Sequence, residues 1–89
     1  NRIGEYMDFR VYITIETPIL DKTYELLVPI DRRIHELISA LKKNIPELSN
    51  NYYTKNTPNL YNKSTGEIYD MNLIIKDSNI KTGSRLLLI

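Results

Sequence analysis

A chain of 89 residues, 42% of them apolar, has room for a single core and therefore a single domain. Twelve basic residues against eleven acidic ones leave a net charge of +1, which excludes the strong basic field of a general binder of nucleic acid or anionic lipid. The lack of cysteine excludes disulfides and thiolate metal sites. No apolar run approaches the roughly 20 residues of a membrane span, and no secretory signal opens the chain, so the expected location is the cytoplasm, in solution or peripheral to a membrane complex.

Residues 1–6 carry no periodic pattern, whereas Met7 is followed at once by one. Residues 1–6 are accordingly expected to be a leader or an added remnant, and residues 7–89 the domain. From Phe9 to Glu16 the sequence alternates: Phe9, Val11, Ile13 and Ile15 share one face, and Arg10, Tyr12, Thr14 and Glu16 share the other. Period two predicts a half-buried strand. Pro18 interrupts it, and a second alternation sets Tyr24, Leu26 and Val28 against Thr23, Glu25 and Leu27. The pair predicts an antiparallel hairpin that ends at Pro29.

Asp31 is the expected N-cap of a helix. Ile34, Leu37, Ile38, Leu41 and Ile45 recur at helical spacing and form one apolar stripe, and Pro46 stops the pattern. Residues 47–58 predict a loop with a helical turn at 46–49. Asn59–Asn62 predicts a short strand, residues 63–67 a turn with Gly66 at positive φ, Ile68–Tyr69 a strand fragment, and Leu73–Asp77 a short helical turn. Gly83 permits a reversal into a last strand, Ser84–Ile89, the most apolar of all.

One helix must cover one face of one sheet, and the most apolar strand belongs at its centre. The last strand then lies beside the first, parallel to it, with residues 29–83 as the long crossover such a pair requires. That is an α+β architecture of the β-grasp type, a mixed four- to five-stranded sheet with one main helix packed across one face.

With the elements placed, the chain resembles ubiquitin over about residues 7–89. The helix spacing of Ile34, Leu37 and Leu41 is similar, as is Asp77-Ser78-Asn79-Ile80 followed by Gly83-Ser84-Arg85-Leu86. It resembles more closely the small bacterial ubiquitin-like family called YukD or EsaB. Tyr24-Glu25-Leu26-Leu27-Val28-Pro29 is similar to that family's strand ending in Val-Pro before the helix. Gly66-Glu67-Ile68 and the ending in Leu-Leu-Ile resemble its C-terminal half. The resemblance implies a cytosolic accessory of a type VII secretion system, a binding or regulatory subunit rather than a catalyst.

Conjugated ubiquitin-like modifiers and sulfur carriers of this fold need a flexible tail ending in glycines, whereas the present sequence ends on Ile89 within a strand pattern. The modifier and the sulfur carrier are therefore the rival readings, together with a ubiquitin-like domain cut from a larger protein. On the face turned from the helix, alternation places Tyr12, Leu27, Tyr61, Leu87 and Ile89, which β-grasp strand order is expected to join in a row. A contiguous apolar patch marks an interface, and the corresponding face of ubiquitin is its main recognition surface. These five residues are the expected site for a protein partner, a component of the secretion apparatus.

Other constellations point to bland roles. His35, the sole histidine, stands beside Arg33 and Glu36 and is expected at the surface, so no metal is expected. Arg32, Arg33, Lys42 and Lys43 form a modest basic edge, and Tyr52, Tyr53 and Lys55 suit base stacking; a solvated helix face and a tyrosine-anchored loop explain both, and nucleic acid is not the expected partner. No nucleophile–histidine–carboxylate set and no glycine-rich phosphate loop is present, Asp70 and Asp77 fit turns, and neither catalysis nor a cofactor is expected.

Overall fold

The computed structural model describes residues 9–49 and 58–89. The expected leader 1–6 and the segment carrying Tyr52, Tyr53 and Lys55 lie outside the described residues. Strand β1 (Arg10–Thr17) and strand β2 (Lys22–Pro29) form the hairpin, with Ile13 opposite Leu26 and Val11 opposite Val28. Their connection is a 3-10 turn at Pro18–Leu20 closed by Asp21 at φ 53°, where the Asp21 N–H donates to the Pro18 carbonyl. An aspartate tolerates this left-handed conformation better than most side chains.

Helix α1 (Ile34–Asn44) follows, then a 3-10 turn at Pro46–Ser49, strand β3 (Leu60–Asn62), a 3-10 turn at Ile75–Asp77 and strand β4 (Arg85–Leu88). The sheet order is β2-β1-β4-β3, so the last strand lies inside the sheet. β4 runs parallel to β1 with Leu86 opposite Ile15, and antiparallel to β3 with Leu88 opposite Leu60. The fragment at Ile68 contributes one bridge, to Tyr61, and among the described residues the sheet counts four strands.

The core lies between this sheet and α1. Ile13, Ile15, Val28, Leu60, Leu86 and Leu88 enter from the strands, and Ile34, Leu37, Ile38 and Leu41 from the helix. Leu48, Tyr69, Ile75 and Ile80 close its sides. Each fully buried aliphatic chain contributes about 1.5–3 kcal/mol relative to exposure. Phe9 departs from the expected inward face. It keeps the parity of Val11 but lies beyond β1, past the end of the core, and is 60% exposed.

The helix also starts later than expected. Asp31 is not the N-cap; Arg33 is, with extended φ and ψ. Residues 30–32 instead form a turn and a bend tied to the third 3-10 turn: the Lys76 and Ile75 N–H groups donate to the carbonyls of Ile30 and Arg32, each at 2.8 Å. The first helical amides then find tertiary acceptors, Ile34 at the Leu73 carbonyl and His35 at the Met71 carbonyl, both at 2.9 Å. These bonds satisfy donors that a helix start leaves orphaned. Glu36, three residues past the cap, accepts the Arg33 N–H at 2.8 Å, half of a capping box.

Two predictions follow from this packing. Leu86, fully buried at the sheet centre, should lose about 2–5 kcal/mol on replacement by Ala, measured by urea unfolding. Gly83 sits at φ 95° with open space where a Cβ would stand. Gly83→Ala should therefore cost about 1–2 kcal/mol through backbone strain alone, and an unchanged midpoint would show that the turn relaxes.

Candidate protein-binding face

Cross-strand partners in a sheet point to the same side, so the register assigns the open face. One row across it contains Thr23, Glu16, Leu87, Tyr61 and Ile68. The next contains Glu25, Thr14 and Arg85. A third pairs Leu27 with Tyr12, whose carbonyl accepts the Gly83 N–H and whose N–H donates to Thr82 Oγ1.

All five expected residues thus share this face, but not in one row. Tyr12 and Leu27 lie at one corner, 48% and 57% exposed. Leu87 and Tyr61 lie together at the opposite corner, half-buried, with Ile89 one alternation further, just past the end of β4. Four residues of strand separate the Tyr12 level from the Glu16 level, about 13 Å. Alternation and strand order fix the face but not the level, and the parallel pairing sets Leu87 against Glu16, four residues along β1 from Tyr12.

The Leu87 corner also contains a residue the sequence reading did not place there. Ile68, opposite Tyr61 and 53% exposed, extends the patch to the sheet edge. Its strand fragment was legible at Ile68–Tyr69, but the partner of that fragment was not.

Between the corners runs a charged band. Glu16 pairs with both Lys63 and Arg85, the latter at 3.6 Å. These exposed pairs add little stability, but they keep two cations beside the Leu87 corner. At the other corner the Tyr12 hydroxyl donates to Glu25 Oε1 at 2.7 Å. That bond to the carboxylate, aided by slight desolvation, raises the Tyr12 phenol above its ordinary 10.0.

The remaining candidates hold structural positions. Arg33 donates to the Asn72 carbonyl at 2.6 Å and so braces the helix entrance, while Arg32 pairs only with its exposed neighbour Asp31 at 3.1 Å. Asp70 accepts the Asn72 N–H and shapes a turn. His35 is exposed on α1. Among the described residues no three metal-ligating side chains converge, and no helix is long and apolar enough to cross a membrane.

No family model matches the chain, and no curated protein matches it. Solved structures do. A chain described under molecular mimicry of SUMO that promotes DNA repair superposes with a TM-score of 0.73 at 13% identity, over 97% of this chain and 98% of that one. The N-terminal ubiquitin-like domain of the 4931431F19Rik protein gives 0.70 at 17% identity, over 93% and 76%. An Arabidopsis thaliana ubiquitin-like domain gives 0.68 at 14% identity, over 100% and 85%. At such identities the likeness establishes the fold, which is ubiquitin-like.

The Tyr12–Glu25 bond predicts a pH effect of known sign. A raised folded-state pKa favours the neutral phenol, so this contribution is whole below about pH 10 and is lost as pH rises through the raised value. Glu25→Gln should bring the Tyr12 pKa down toward its ordinary value in a ¹³Cζ NMR titration; an unchanged midpoint would contradict the bond.

Proposed function

We propose that this ubiquitin-like domain is a non-catalytic binding and regulatory module that docks a protein partner on its open sheet face. The observation that carries the reading is the apolar corner formed by Tyr61, Leu87, Ile89 and Ile68, flanked by Lys63 and Arg85. Contiguous exposed apolar surface rimmed by charge is the usual form of a protein interface. The corner supplies shape and burial, and the two cations favour a partner that brings carboxylates beside its apolar anchor. Tyr12 and Leu27 form a second corner, which a partner reaches only if its contact extends some 14 Å across the face.

The narrower reading names the partner. The segments Tyr24–Pro29, Gly66–Ile68 and Gly83–Ile89 resemble the YukD/EsaB family, which supports a cytosolic accessory of a type VII secretion system. The partner is then a component of that apparatus, such as a membrane protein or its ATPase. This reading rests on the sequence resemblance, while the docking face rests on geometry.

Affinity capture from the source cells separates the two levels. Leu87→Asp should abolish retention of secretion-apparatus proteins while leaving the circular dichroism spectrum unchanged; Leu27→Asp should weaken it only for a partner that spans both corners. If wild type and Leu87→Asp retain the same apparatus proteins, the face is wrong. If neither retains them and wild type retains another protein lost in Leu87→Asp, the face stands and the secretion role fails.

A further inference from the structure

The sheet has two edges, and among the described residues the chain covers only one of them. At the β3 edge the Tyr69 N–H donates to the Leu60 carbonyl at 2.9 Å, and the Asn62 N–H to the Glu67 carbonyl at 2.8 Å. At the β2 edge, hydrogen-bond parity decides what is free. The Tyr12 carbonyl accepts the Gly83 N–H and the Thr14 N–H donates to the Ser84 carbonyl, so even-numbered residues of β1 turn toward β4. Odd-numbered residues therefore bond β2, where their opposites are Tyr24, Leu26 and Val28. The Ile30 N–H, which donates to the Phe9 carbonyl at 3.0 Å, continues the same parity. The backbone N–H and C=O groups of Thr23, Glu25 and Leu27 then point out of the sheet and have no partner among the described residues.

Beside this edge an apolar groove runs between β2 and α1. A hollow of about 200 Å³ is walled by Leu26, Val28, Leu37, Leu41 and Ile45, with Ala40 beside them. A second hollow of about 280 Å³ shares Pro29, Leu37 and Ala40 with it and carries the groove on toward Ile75. Ala40 is the sole alanine of the chain and is exposed, so its methyl leaves open the space that a longer side chain would fill. Free donors and acceptors at every second residue, next to an apolar groove, are the complement of an extended chain. A helix has its backbone groups bonded internally and has none to give to the edge.

Glu25 selects which extended chain. It is exposed in the middle of the three free residues, with Oε1 accepting the Tyr12 hydroxyl. Only one two-fold antiparallel register pairs all three free residues of one copy with those of another, and it sets Glu25 opposite its own copy. Like charges directly opposite are destabilising, whereas a basic residue there forms an opposite-charge pair. We propose that the β2 edge receives an extended segment of a protein partner as an added strand, with apolar side chains at alternate positions entering the groove beside Ala40 and a lysine or arginine between them opposite Glu25. The site lies at the opposite edge of the sheet from Ile68 and does not depend on the docking reading, although Leu27 borders both.

The test uses the whole chain with the acetylated, amidated heptapeptide Ser-Thr-Val-Lys-Val-Thr-Ser, followed by ¹H–¹⁵N NMR and amide hydrogen exchange. In the free protein the Glu25 and Leu27 amides should exchange faster than those of Leu26 and Val28. The peptide should give saturable shifts along β2 and α1 and slow exchange at Thr23, Glu25 and Leu27. Glutamate in place of its lysine should weaken binding about tenfold, and Glu25→Lys should reverse that preference. Ala40→Gln should keep the circular dichroism spectrum and weaken binding about tenfold by filling the groove. No saturable shift at millimolar peptide, shifts confined to the Leu87 corner, or equal affinity for the two peptides would overturn the proposal. Slowed exchange of the same three amides in the chain alone as its concentration rises, with a dimer in sedimentation, would overturn the partner in favour of a second copy.

Discussion

The parallel pairing of β1 with β4 is the constraint on which the rest of this protein depends. Ile15 and Leu86 meet there at the centre of the sheet, both buried, and the Tyr12 N–H reaches Thr82 Oγ1 across 70 residues of chain. A parallel neighbour cannot be reached by a tight turn, so everything from Pro29 to Gly83 must serve as crossover. The helix, the short β3 strand and the turns around Ile75 are that crossover. Because the contact joins distant parts of the chain, its entropy cost is met only when the remaining core closes with it.

The same register shapes the surface. Residues that alternate outward on β1 and β4 are brought level two by two, and the level is set by the backbone hydrogen bonds between the strands. Setting Leu87 against Glu16, rather than against Tyr12, divides the apolar surface into two corners with an ion-paired band between them. The turn at Gly83 has the same origin. The positive φ of Gly83 turns the chain into β4, and the hydroxyls of Thr82 and Ser84 are committed to fastening that turn to β1 and to Lys81.

A second tertiary device places the helix. Two successive amides at its start are satisfied by carbonyls of residues 71 and 73, and Arg33 reaches the Asn72 carbonyl. The helix entrance is thus braced by the far end of the crossover rather than by a side-chain cap of its own. This is why Arg33 serves architecture first, and why a cap assigned from local chemistry at Asp31 falls two residues early. Glu36 was the local signal for the true cap, legible only once Arg33 is allowed as a cap whose backbone N–H is the group that matters.

The sequence by itself determined the class of fold, the two faces of each long element and the identity of most core residues. Alternation in Arg10–Thr17, helical spacing from Ile34 to Leu41 and the apolarity of Leu86 and Leu88 are local records of which side of the chain is dry. They also sufficed to put Tyr12, Leu27, Tyr61, Leu87 and Ile89 on one face. Which of those residues touch was decided by tertiary structure alone. Period two states a side chain's face but not its level, and level depends on hydrogen-bonded register between strands that the sequence does not connect directly. Ile68 joining Tyr61, the Glu16 pairs with Lys63 and Arg85, and the fastening of Thr82 and Gly83 to Tyr12 all arise from such long-range registration. No local pattern in the chain could have carried them.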